Sequence, residues 1–129
     1  MDTSAWIEFF VGGNRGRKVG GHLLAADLNA TPTVVLAELQ KKYVQNGRRQ
    51  DEFESDVGRI RTLSVVTSEI PELVASAAGK IAALQKHSNM SLVDCLLLAL
   101  ARNYRGGKVL SCDGQFKGYK EAIYVGGTR

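Results

Sequence analysis

Residues 91–101 read SLVDCLLLALA, and Asp94 is the one charged side chain in that stretch. The run is too short to span a bilayer and long enough for a buried helix of about three turns. A bare carboxylate in such surroundings is expensive, costing several kcal/mol unless a cation or hydrogen bonds compensate it. No Lys, Arg or His lies close in sequence to this apolar face. The spacing Ser91-x-x-Asp94 also fits a capping box, in which the acid sits near the positive helix terminus.

Three further acids occupy comparable positions beside apolar runs: Asp2 in MDTSAWIEFF, Glu38 in TPTVVLAEL and Asp113 in KVLSCDGQF. Others, such as Asp51, Glu52, Glu54 and Asp56, lie in polar surroundings. Each of the four has a plain structural reading as well: Asp2 as a helix cap, Asp113 as a turn residue before Gly114, and Glu38 as an ion pair with Lys42 four residues on. Together they point to a bound divalent cation, and an all-oxygen ligand set selects a hard ion, Mg²⁺ or Mn²⁺.

The elements around these acids alternate in type. Residues 4–11 read as an amphipathic helix stopped by Gly12-Gly13, and residues 18–28 as a second. The residue before Pro32 is pushed toward extended backbone, and Pro32 suits the first turn of a helix over 33–45. Further helices are expected over 51–61, 71–86 and 91–104, with strands over 63–67, 108–112 and 122–125. Short apolar strands alternating with helices argue an α/β fold with a parallel sheet covered on both faces. In such sheets ligands bind at the carboxyl ends of strands, where Asp113 falls.

At 129 residues, with no internal repeat or linker, the chain reads as a single domain over 1–129. Cys95 and Cys112 lie in apolar segments without metal-ligand spacing and read as small buried hydrophobes in a reducing, cytoplasmic setting. His22 and His87 read as ordinary helix residues. No run is long enough for a membrane span, so no membrane partner is expected. The net charge is +4. Basic groups trail three of the odd acids: Arg15, Arg17 and Lys18, then Lys41, Lys42, Arg48 and Arg49, then Arg102, Arg105 and Lys108. Such a distribution suits either ordinary solvated helix ends or a basic rim holding a phosphodiester backbone around an acidic pit.

The opening DTSAWIEFF, the acid-bearing TPTVVLAEL, the segment SLVDCLLLALA and the strand-turn VLSCDGQFKG followed by AIYV resemble, in that order, the PIN-domain nucleases. The likeness is to the VapC-type toxins of toxin–antitoxin pairs. It implies a three-layer α/β/α sandwich with a central parallel sheet, and an endoribonuclease whose catalytic acids are Asp2, Glu38, Asp94 and Asp113. Asp2, Asp94 and Asp113 would hold Mg²⁺ or Mn²⁺, while Ser4 and Ser111 support them from behind. The resemblance also implies an RNA substrate, a cognate VapB-type antitoxin and a homodimer. Arg15, Arg17, Lys41 and Lys42 are the candidates for an RNA rim. Members of the family carry a strand before the first Asp, whereas here only Met1 precedes Asp2, so the first strand reads as truncated.

Overall fold

The computed structural model describes residues 1–85 and 89–129, so His87 and the expected helix end at Lys86 lie outside the described residues. In chain order the elements are α1 (Thr3–Val11), α2 (Asn14–Ala25), β1 (Ala30–Pro32), α3 (Thr33–Gln45), α4 (Gln50–Leu63), β2 (Val65–Thr67), α5 (Glu72–Leu84), α6 (Leu92–Arg102), β3 (Val109–Ser111), a 3₁₀ turn (Gly114–Phe116) and β4 (Ala122–Tyr124). Among the described residues no helix is long and apolar enough to cross a membrane.

Local chemistry sets most of these boundaries. Asp2 caps α1 by accepting from the Ala5 backbone N–H, and Gly12 ends that helix in the left-handed conformation that a Cβ would oppose. Pro32, in extended conformation, starts α3. Both ends of α2 depart from expectation, Asn14 rather than Lys18 and Ala25 rather than near Leu28, and Leu63, expected in a strand, closes α4 instead. The polar stretch NRGRK is recruited into helix because Gly16 lets α2 cross α1 closely; a Cβ there would stand 2.3 Å from the Glu8 carbonyl oxygen. At the other end Ala26 is already extended, and the Asn29 side chain donates to the Leu23 carbonyl.

The strands pair in parallel, as expected, but they do not form one continuous central sheet. β1 pairs with β2 and β3 pairs with β4, giving two separate two-stranded sheets. The first two residues lie between the pairs. Met1 donates its α-amino N–H to Ala30 O at 3.0 Å, and the Asp2 backbone N–H donates to Leu110 O at 3.1 Å. Two residues are too few to build a ladder on both sides, so this position between β1 and β3 is bridged by single hydrogen bonds. Residues 1 and 2 thus make single strand-like contacts to β1 and β3.

The core gathers around Trp6, Val35, Leu39, Ile60, Leu98 and Phe116, all essentially inaccessible to water. Trp6 stacks on Phe10 with ring centroids 5.7 Å apart and donates its indole N–H to Thr31 Oγ1 at 3.1 Å. Thr31 and Ser64 hydroxyls lie 2.8 Å apart, tying β1 to the end of α4. Helix α6 is buried nearly all round, from Cys95 and from Leu97 to Ala101. Such a helix leaves only its first turn free to present a polar group.

Two outcomes follow from this packing. Gly16→Ala should destabilise the chain by about 1–3 kcal/mol in denaturant melts, because the α1–α2 crossing cannot widen without cost; an unchanged midpoint would show that the crossing relaxes freely. Adding four or five apolar residues before Met1 should raise the melting temperature, since a neutral amide would replace a buried ammonium, and further ladder bonds could form on β1 and β3. An unaltered melting temperature in the extended protein would count against a strand-like position at residues 1 and 2.

Candidate active site

Four acids reach one region from four separate elements. Asp2 caps α1, Glu38 lies in the middle of α3, Asp94 stands in the first turn of α6, and Asp113 precedes the 3₁₀ turn directly after β3. Asp2 is buried and the other three are half-buried.

Hydroxyl groups hold the first acid. The Asp2 carboxylate accepts from Ser4 Oγ at 2.8 Å, from Ala5 N at 2.9 Å, and from Ser111 Oγ in a short hydrogen bond. Ser4 Oγ in turn accepts from the Cys112 backbone N–H, and Ser111 Oγ accepts from the Asp113 backbone N–H, both at 2.9 Å. Ser4 and Ser111 thus connect Asp2 to the backbone on which Asp113 is mounted. Asp113 Oδ1 accepts from the Gln115 backbone N–H at 2.9 Å, which fixes the turn.

Sequence reasoning passed over Thr3. Its buried hydroxyl donates to Glu38 Oε1 at 2.7 Å, joining α1 to α3 at the site. Nothing local announces a contact across 35 positions. Also missed was Glu8, a buried acid paired with Arg15 at 3.2 Å and with Arg129 at 2.9 Å. Its place between Ile7 and Phe9 is the same signal that singled out Asp94. Of the four candidate rim residues, Arg15 is therefore engaged with Glu8 and Arg17 donates to Asn14, while Lys41 and Lys42 stand exposed on α3.

Electrostatics bind the four acids into one group. Burial, followed by the negative charges of Asp113, Glu38 and Asp2, pushes the Asp94 carboxyl up to about 6. Burial also raises Asp2, against the opposing pull of its hydrogen bonds from Ser111, Ala5 and Ser4. Among the described residues none of the four acids is paired with Lys or Arg. The capping box is formed too: Ser91 Oγ accepts from Asp94 N at 3.1 Å, and Asp94 Oδ2 accepts from Ser91 N at 3.4 Å. The cap is real, but its longer bond does not offset the unfavourable environment of the charge. The donor chemistry, oxygen-only and anionic, fits a hard divalent cation. Its spacing is open: among the described residues no three His, Cys, Asp or Glu side chains are set to hold one ion together.

The Asp94 shift has a pH signature. A folded carboxyl raised to about 6 binds more protons than the unfolded one between roughly pH 4 and 6, so stability falls as pH rises through that window. Asp94→Asn keeps an oxygen acceptor for Ser91 N and removes the charge. Without divalent metal the variant should melt higher than wild type at pH 7, by on the order of 1 kcal/mol after solvent screening, and the gain should vanish near pH 4. A lower melting temperature for the variant at pH 7 would show that the cap outweighs the repulsion.

No curated protein matches this chain. A family model for the PIN domain matches residues 1–122, a span that takes in all four acids and the hydroxyls around them. The chain belongs to the PIN-domain family.

Proposed function

We propose that this chain is a Mg²⁺- or Mn²⁺-dependent endoribonuclease that hydrolyses RNA phosphodiester bonds. In this reading it is the toxin of a VapBC-type pair, a cytoplasmic homodimer silenced by a VapB-type antitoxin, and residues 1–129 act as one nuclease domain. PIN domains are commonly nucleases. The observation that carries the reading is Asp94, whose carboxyl is raised by burial and then by three other carboxylates, with no Lys or Arg pairing any of the four among the described residues. A three-layer α/β/α sandwich, with Met1 and Asp2 lying between the two strand pairs, is the architecture it assigns.

Asp2, Asp94 and Asp113 would hold the ion. When bound, a divalent cation lowers the pKa of an attacking water and stabilises charge developing on the phosphate. The remaining steps belong to the chain. Ser4 and Ser111 keep the Asp2 oxygens turned toward the other acids, at no cost in net charge. Thr3 occupies Glu38 Oε1, which leaves Oε2 to orient the attacking water and accept its proton. Lys41 and Lys42, within one turn of Glu38, would hold the RNA backbone, with Arg17 as a more distant contact. Arg15, held by Glu8, contributes least.

The open spacing of the acids favours a second reading, a PIN domain that binds RNA or a partner but turns over weakly. Metal titration separates the two. Under the nuclease reading, calorimetry should detect Mn²⁺ binding to wild type, and cleavage of a mixed RNA substrate should need Mg²⁺ or Mn²⁺. Asp94→Asn should reduce cleavage by at least about 10²-fold, because an amide is a poor ligand for a hard cation. Full cleavage in excess chelator, or by Asp94→Asn, would refute the reading; RNA binding without detectable Mn²⁺ binding would favour the second.

A further inference from the structure

A groove of about 310 Å³ runs between α1, α3 and α4, beyond the acids on the same two helices that carry Asp2 and Glu38. Ile7, Phe10 and Val11 from α1 form its apolar side, and Val11 is 56% exposed although large and apolar. Lys42, one turn beyond Glu38, lines the opposite lip. From Glu38 to Tyr43 in the groove is about 7 Å along the α3 axis.

Two arginines lie over aromatic rings in this groove. The Arg48 guanidinium sits 4.7 Å from the centroid of the Tyr43 ring, and that of Arg59 sits 4.7 Å from the centroid of Phe10. Their edges are already occupied: Arg48 pairs with Glu52 and lies 3.9 Å from Asp56, while Arg59 lies 3.6 Å from Asp56. Asp56 itself accepts from the Tyr43 hydroxyl at 2.6 Å. Arg48 thus spends one donor on Glu52, and both guanidinium groups lie over aromatic rings with carboxylates nearby. Both side chains remain about half exposed, 45% for Arg48 and 52% for Arg59. What they offer to solvent is a half-exposed guanidinium backed by an aromatic ring, a planar cation on which the π-face of a base can stack.

We infer that this groove is a stacking subsite for an unpaired nucleobase of single-stranded RNA, with Lys42 on the adjoining phosphate. Resting on the nuclease reading, it gives the substrate a direction: the strand leaves the acids along the α1–α3 seam and lays a base against Arg48 or Arg59. Stacking of this kind tolerates any base, because every base has a π-face. The subsite therefore favours unpaired RNA over duplex without selecting a sequence.

The test uses the full chain without divalent metal, so that nothing is cleaved, and fluorescence anisotropy on two probes. One is an oligoadenylate decamer; the other is an abasic ribose-phosphate decamer of equal charge. Wild type should bind the oligoadenylate at least about fivefold more tightly, in line with the usual strength of base stacking on side chains. Arg48→Lys and Arg59→Lys keep the charge and lose the planar face, so they should erase most of that difference while leaving the abasic affinity and the salt dependence in place. Equal wild-type affinity for the two probes overturns the inference and needs no variant that could misfold. So does a folded Arg48→Lys, Arg59→Lys double variant that keeps the full preference for bases. If the double variant keeps its RNA binding but loses affinity for an acidic amphipathic helical peptide, the groove belongs to a protein partner and the inference fails. Base-dependent binding in a protein that binds no Mn²⁺ and cleaves nothing would remove the nuclease reading while leaving this subsite standing.

Discussion

The Asp2 carboxylate is the point on which the arrangement turns. It caps α1, accepts from both serines, and lies on the two-residue bridge between the strand pairs. A buried carboxylate is stable only where donors surround it, so the burial of Asp2 dictates the positions of Ser4, Ala5 and Ser111. Those positions in turn dictate where Asp113 stands, because Ser111 and Ser4 receive the backbone N–H groups of Asp113 and Cys112. One desolvated charge thereby fixes the N-terminus, the end of β3 and one wall of the acidic group.

The four acids show two strategies for tolerating negative charge. Asp2 is deep and satisfied by neutral donors, which lower its cost without removing its charge. Asp94 is shallower, and among the described residues its carboxylate accepts only from the backbone N–H of Ser91, so burial and then the charges of its neighbours raise it. Glu8 resolves the same problem a third way, with two arginines, and so stands outside the acidic group.

Much of this was legible in the chain because its signals are local. An acid inside an apolar run, a proline before a helix and a Gly-Gly stop each report on a few adjacent residues, which is why the helices and the positions of Asp2, Glu38, Asp94 and Asp113 at or between elements could be read directly. The Thr3–Glu38 bond could not, since it depends on how α1 crosses α3. The early start of α2 was hidden for a related reason: NRGRK is polar and glycine-bearing, and only the close approach to Glu8 makes helix the better state for it. The division of the sheet escaped notice because each strand is three residues long, too short for its pattern to say which neighbours it has. Arg48 read from the sequence as either solvated charge or part of a basic rim, and the aromatic partners of Arg48 and Arg59 lie on other elements.

The bond between Asp2 and Ser111 joins residues 109 positions apart. Contacts of such separation close late, after the loop entropy between them has been overcome by nearer pairings. During synthesis Asp2 leaves the exit tunnel long before Asp113, so the four acids cannot meet until the last of them has been made and has emerged. Whatever chemistry they perform waits for that moment, and the delay is written into the order of the residues alone.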